Sequence, residues 1–228
     1  MSADVDGALA IAGIADRTQP INAAQASALL AELKESAPVS ASSKIVSVAA
    51  KPSGVLTESF ILQQAQDFMD FLPPSVVNSL PPLHIQVCDW LNAYGEYNKG
   101  LVKLGGVSLK TKVKARETIF HELAHWVHLE LPGMHPWVQA IKAHFEARTA
   151  GEAVVTLGNY AVTGLRDQWW EVYMGRVYNL PEEATHLGVE FPTRNFELLA
   201  APNRFAAVWS KSPEAREDIY LALKGLYP

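Results

Sequence analysis

The chain has 228 residues, of which 49% are hydrophobic and 19% charged, and its formal net charge is −5. This composition is typical of a protein with a sizeable buried core and argues against global disorder, while the acidic balance argues against a nucleic-acid-binding module, which usually has a basic face. The single cysteine, Cys88, excludes an intramolecular disulfide framework and a thiolate zinc cluster, so any zinc is expected to be held by histidine and carboxylate.

The N-terminus is acidic over residues 1–6 and lacks the basic region of a secretory signal. No apolar run approaches the length of a membrane span. We therefore expect the protein in the reducing cytoplasm, or packed from there into a particle, with no classical secretion signal and with neither nucleic acid nor a membrane as partner.

Two regions are expected along the chain. Residues 1–43 are predicted to be an N-terminal helical arm with a linker, built on a helix over residues 23–34. Residues 44–228 are predicted to form one larger domain of the α+β class, with a small sheet followed by a mostly helical C-terminal part. Helices are predicted at 57–71, 137–148, 195–201 and 213–226, and short strands at 44–48, 83–88, 101–104 and 107–109.

Other segments of the larger domain receive less regular predictions. Residues 94–99 are expected to form a polar, turn-rich connection, and residues 182–190 a polar loop. The aromatic segment 169–178 is predicted to form a hairpin or an extended cover over the site. The strand near residues 101–109 is expected to pair with an extended peptide substrate.

The most informative motif is His121-Glu122-x-x-His125, within residues 118–128. Apolar residues surround it at helical spacing, and on a helix both imidazoles leave from one face. Two imidazoles with a carboxylate beside the first are typical of a catalytic zinc site in which the glutamate, Glu122, acts as general base. The motif therefore predicts a zinc site with His121 and His125 as ligands.

A catalytic zinc site needs a third protein ligand. His128 lies on the same helix face but is displaced along the axis, and we interpret it as a residue that either lies behind the ligands and supports them or lines the cleft. His186 is interpreted as a solvated surface histidine. This leaves a glutamate, Glu171 or Glu197, and Glu197 has the better geometry because it lies at a helix start among apolar neighbours.

An ordered series of motifs resembles phage-encoded zinc-metallopeptidase-like domains, found alone or fused to head-morphogenesis proteins. The resemblance covers residues 83–225 and rests on five segments: 118–126, 148–152, 173–178, 193–199 and 212–225. It implies a zincin-like fold of the gluzincin type with Zn2+ as cofactor, and it maps the third ligand onto Glu197, with Glu171 as the alternative. Residues 200–202, Ala-Ala-Pro, depart from the small and Met-Gly residues usual at that place.

The predicted function is that of a zinc metallopeptidase that hydrolyses peptide bonds of a peptide or protein substrate. Glu122 would move the proton, and Tyr173 or Tyr178 would donate to the oxyanion. The alternative is a virion or head-assembly component that uses the fold as a binding module for phage structural proteins. Its contact surfaces would be the N-terminal arm and the basic residues Lys110, Lys112, Lys114 and Arg116, which we otherwise expect to be a solvated stretch.

Overall fold

The structure is a computed structural model that describes residues 4–35, 38–50, 54–91, 94–106, 109–157, 162–166, 169–178 and 186–226. It is about 52% helical with a small mixed sheet, which confirms the predicted α+β class. None of its described helices is both long and apolar enough to cross a bilayer. The helices of the described residues are α1 (Val5–Ile11), α2 (Ala23–Glu32), α3 (Glu58–Met69), α4 (Pro74–Ser79), α5 (Lys112–Glu130), α6 (Pro136–Arg148), α7 (Glu190–Glu197), α8 (Pro202–Trp209) and α9 (Pro213–Lys224).

The main sheet has four strands in the order β1-β2-β4-β3. β1, β2 and β4 are parallel, and β3 runs antiparallel to β4 at the edge of the sheet. Val102 and Leu104 of β4 are buried, as expected for an interior strand, and β4 also contacts α5. The strands are β1 (Ile45–Ala49), β2 (Leu83–Cys88), β3 (Gly95–Asn98) and β4 (Leu101–Gly105).

Residues 94–99 are not only the turn-rich connection that was predicted, because Gly95–Asn98 form the edge strand β3. Lys99 and Gly100 both have positive φ, 41° and 79°, and they form a two-residue connection between Asn98 and Leu101, which pair across the hairpin. The strand expected to face the substrate, residues 101–104, is therefore covered by β3 and cannot present a free edge. Of the strand predicted at 107–109, residues 107 and 108 lie outside the described part of the chain.

Helix α5 begins earlier than the motif suggested. Thr111 caps it by accepting a hydrogen bond from the backbone N–H of Lys114 at 3.2 Å. Lys112, Lys114 and Arg116 of the predicted basic stretch are consequently part of the first turns of α5. Arg116 forms an ion pair with Asp67 of α3 at 2.7 Å. The helix continues to Glu130 and packs against β3, α3 and α7.

The N-terminal arm packs on the C-terminal helices α8 and α9 and shares their hydrophobic core. Leu29 of α2 and Leu33, which caps the C-terminal end of that helix, are fully buried. Ser210, which follows α8, donates its hydroxyl to the carbonyl of Ile21 at 3.0 Å and accepts the Ile21 N–H at 3.1 Å. Through these contacts, the N-terminal arm belongs to the same packed unit as α8 and α9.

The aromatic segment 169–178 differs from the predicted hairpin. It contains a 3-10 turn, Val172–Gly175, and one isolated bridge between Gly164 and Arg176, next to the short pair β5 (Val155–Thr156) and β6 (Thr163–Gly164). The approach is close, because a Cβ on Gly175 would lie 1.9 Å from the carbonyl oxygen of Leu165. The segment is thus pinned by its backbone beside the cleft.

Candidate metal centre

Helix α5 presents His121, Glu122 and His125 to a cleft. Both histidines leave from one face of the helix, as the motif predicted. The two imidazole rings lie edge to face with centroids 4.8 Å apart. This follows from the i, i+4 spacing, which places both side chains on the same helix face one turn apart. The cleft has a volume of about 290 Å³.

The carboxylate that completes the cluster belongs to Glu190, the first residue of α7. Its Oε2 lies 3.3 Å from Nε2 of His121, and its Oε1 lies 3.7 Å from Nε2 of His125. The three groups offer ligand atoms that all lie within 4.8 Å of one another. Bonds of 2.0–2.1 Å in a tetrahedral zinc site separate ligand atoms by roughly 3.3 Å. The His121–Glu190 distance already matches that value, and the wider separations in the cluster would have to shorten around an ion.

Glu197 was the predicted third ligand, and the structure gives it a different place. It accepts hydrogen bonds from Arg194 at 2.8 Å and from Arg204 at 2.6 Å. Its Oε2 lies 3.5 Å from Nδ1 of His121, on the side of the ring away from Glu190. That distance is long for a hydrogen bond, so the carboxylate is a charged neighbour of Nδ1 that orients the ring.

Glu171, the alternative ligand, also lies away from the cluster. Its carboxylate forms an ion pair with Arg194 at 3.1 Å and accepts a hydrogen bond from the N–H of Tyr173, which caps the 3-10 turn. Glu171 therefore acts as a local cap and as an arginine partner.

Two further histidines are more deeply buried than predicted. His128 is fully buried against Trp137 and His186 and does not line the cleft, which corrects its assignment as a cleft residue. His186 is 8% exposed and its Nε2 lies 2.9 Å from the carbonyl oxygen of Leu131, so it is not a solvated surface histidine.

The local sequence explains why α7 starts at Glu190 instead of near residue 195. Gly188 has a φ of +72° and packs so tightly that a Cβ there would lie 2.5 Å from the Phe145 ring. Pro192 falls in the first helical turn, where its missing N–H costs nothing. Glu190 and Thr193 share one helix face, and the Thr193 hydroxyl donates to Glu190 Oε2 at 3.1 Å.

Glu122 has the environment of a general base. It is buried, and burial raises its pKa to about 7, although the charge of His121 opposes this shift. Gly95 of β3 lies directly against it, since a Cβ at Gly95 would be 2.5 Å from Oε1 of Glu122. The edge strand and the base are thus in van der Waals contact.

The two predicted tyrosines line the cleft together with an arginine that the sequence did not suggest. The Tyr178 hydroxyl donates to Oε1 of Glu190, and Arg176 donates from Nη1 to the hydroxyl oxygens of Tyr173 and Tyr178. Tyr178 is therefore bound to the third carboxylate of the cluster. Arg176 is the group on this side of the cleft that carries a positive charge.

The charges of the cluster fit a bound cation. Burial alone would raise the pKa of Glu190, but the two histidines outweigh it and hold that pKa well below its usual range. Burial lowers the pKa of His121, but Glu190 and Glu197 overcome this and raise it to about 9. Two buried carboxylates therefore hold a positive charge at this position, and a divalent ion between the Nε2 atoms and Glu190 would supply it. Nδ1 of His125 and Oε2 of Glu122 are also buried here, and neither has a hydrogen-bond partner among the described residues.

Glu190, Arg176 and Gly95 are the site residues that sequence reasoning missed. The position of Pro192 in a helical first turn was a signal for Glu190, since it moves the helix start upstream and places Glu190 and Glu197 on one face. Arg176 and Gly95 have no comparable local signal.

Comparisons with known proteins add no relative. No family model matches the chain, no curated protein matches it, and no solved structure matches it.

Proposed function

We propose that the protein is a zinc-dependent peptidase in which His121, His125 and Glu190 hold the metal. The observation that carries the proposal is the convergence of His121, His125 and Glu190, which offer ligand atoms within 4.8 Å of one another, beside a second buried carboxylate in a cleft. A bound zinc ion would supply the Lewis acidity that lowers the pKa of a water and polarises a carbonyl.

Glu122 is the proposed general base. Its pKa of about 7 suits a group that removes a proton from water and then delivers it to the leaving nitrogen near neutral pH. Tyr173, whose hydroxyl oxygen accepts from Arg176, is the candidate donor to the oxygen that gains negative charge, because the Tyr178 hydroxyl already donates to Glu190.

The edge strand β3 is the proposed docking site for an extended peptide. Gly105 donates its N–H to the carbonyl of Tyr94 at 2.8 Å. Because hydrogen bonding alternates along an antiparallel pair, the N–H and C=O groups of Gly95 and Tyr97 point away from β4. These two residues also line the cleft, so a substrate backbone can pair with them next to Glu122.

Metal analysis and hydrolysis test the proposal separately. Wild type purified without chelators should carry one zinc per chain, and His121→Ala and Glu190→Ala should not. Glu122→Gln should keep the zinc and lose hydrolysis of a mixed peptide library followed by mass spectrometry. The matched control is Glu146→Gln, an exposed glutamate of α6 outside the cleft, which should behave as wild type. Wild type without stoichiometric zinc, or Glu122→Gln with wild-type hydrolysis, would refute the proposal.

A further inference from the structure

Arg176 is the only lysine or arginine among the described residues that line the cleft. The other arginines near the site are neutralised by carboxylates: Arg194 pairs with Glu171 and Glu197, and Arg204 pairs with Glu117 and Glu197. Within the described chain, Arg176 forms no ion pair within 4 Å, so its charge faces the cleft without a fixed counterion.

The guanidinium of Arg176 is held in place on several sides. It lies 3.9 Å from the centroid of the Tyr178 ring and 5.1 Å from that of Tyr173. Both tyrosine hydroxyls accept hydrogen bonds from Nη1. Backbone bonds fix the neighbouring residues, since Leu165 donates to the Gly175 carbonyl at 2.8 Å and Val177 donates to the Thr163 carbonyl at 3.0 Å.

This arrangement leaves one part of the guanidinium for a ligand. The hydrogen bonds that Arg176 makes to described residues all use Nη1. Nε and Nη2 remain for a bidentate pair with a carboxylate, which is the geometry that a planar guanidinium matches best. Because the group is already oriented, less conformational entropy is lost when it binds.

The charge of the cleft with a bound divalent ion also favours a carboxylate ligand. A divalent ion at His121, His125 and Glu190 would be balanced by the two carboxylates of Glu122 and Glu190. Glu96, the other acidic residue lining the cleft, is paired with Lys103 at 3.1 Å. The positive charge of Arg176 is then the uncompensated one, and it favours substrates that bring a negative charge.

We propose that Arg176, aligned by Tyr173 and Tyr178, binds a carboxylate of the peptide substrate, either its free C-terminus or an Asp or Glu side chain near the scissile bond. The inference rests on the proposed peptidase function for the identity of the ligand as a peptide. It assigns to this cleft a preference for acidic over neutral peptides.

Three forms of one peptide from the library separate the two sources of the carboxylate. The first is neutral with an amidated C-terminus, the second has a free C-terminus, and the third is amidated with an aspartate placed in turn at each position of the peptide. Binding is measured by calorimetry to the zinc-loaded Glu122→Gln protein, so that no hydrolysis is needed. At least one acidic form should bind about tenfold tighter than the neutral form, and which one does identifies the source.

Variants of Arg176 then test the assignment. In the Glu122→Gln background, Arg176→Gln should abolish the preference, and Arg176→Lys should retain part of it. Arg166→Gln removes an exposed arginine that does not line the cleft and should keep the full preference. Equal affinities for all forms, no measurable binding of any form, or a preference that persists in Arg176→Gln would overturn the inference. Loss of peptide hydrolysis in the library assay with an intact binding preference would count against the proposed catalysis alone.

Discussion

Glu190 and Glu197 contact the two different ring nitrogens of His121, at 3.3 Å from Nε2 and 3.5 Å from Nδ1. They are seven residues apart on α7 and therefore lie on one helix face, two turns from each other. A single helix thus supplies a carboxylate for the proposed metal and another that orients one of its ligands. Arg194 and Arg204 hold Glu197 in that second position and keep it away from the metal side of the ring.

This geometry predicts unequal effects of two matched substitutions. Glu190→Gln should abolish stoichiometric zinc binding, because it removes a ligand. Glu197→Gln should weaken zinc affinity by about 10–100-fold, the usual effect of losing a partner that orients a ligand. Competition with a chromophoric chelator measures both affinities. Equal losses in the two variants would contradict the assignment, and circular dichroism checks that each variant is folded.

Gly95→Ala is predicted to impair hydrolysis without loss of zinc. The new Cβ would lie 2.5 Å from Oε1 of Glu122, so either the base or the edge strand must move. A displacement of about 1 Å at a reacting group lowers a rate by about 100-fold. Asn98→Ala, an exposed position on the same strand, is the control and should keep the wild-type rate. A Gly95→Ala protein with wild-type kcat/KM would show that β3 does not constrain Glu122.

His128→Phe is predicted to make stability less dependent on pH. Burial lowers the pKa of His128 to about 3, so the unfolded chain binds a proton near pH 6.5 that the folded protein excludes. The contribution of this group to the free energy of unfolding is present above pH 6.5 and is lost as the pH falls toward 3. It decreases by about 2 kcal/mol between pH 7 and pH 5.

Urea unfolding at pH 7 and pH 5 measures the difference for His128. Both ring nitrogens of wild-type His128 lack a described hydrogen-bond partner, so an apolar ring should fit without leaving polar atoms unsatisfied. His128→Leu, with a different shape, serves as the second variant. If both variants lose as much stability as wild type on going to pH 5, the exclusion of a proton from His128 is not the cause.

Leu29→Ala is predicted to destabilise the whole molecule. Leu29 is fully buried in the core that α2 shares with α8, and truncation of such a leucine costs about 2–5 kcal/mol. The loss should appear in one unfolding transition followed by both circular dichroism and tryptophan fluorescence. Ser27→Ala on the exposed face of α2 should change stability by about 0.5 kcal/mol or less. Two separate transitions would instead show that the arm unfolds independently.

The sequence by itself determined the elements whose signals are local. The spacing of His121 and His125 and the apolar residues around them defined the helix and the face that carries the candidate ligands, because a helical face depends only on nearby residues. The same holds for α2, α3, α6 and α9, whose predicted ranges agree with the structure to within two residues at either end.

The tertiary structure decided which distant groups reach that helix. Glu190, Glu171 and Glu197 are all plausible ligands by residue type, and only the packing of α7 along α5 brings Glu190 to the Nε2 atoms while the arginines draw Glu197 behind His121. The order of the strands also depends on contacts between distant residues. Because β3 pairs with β4, the free edge of the sheet lies on β3 and not on β4, and Gly95 lies against Glu122. Contacts between residues far apart in the chain depend on how whole elements pack, and no periodicity within a segment encodes that.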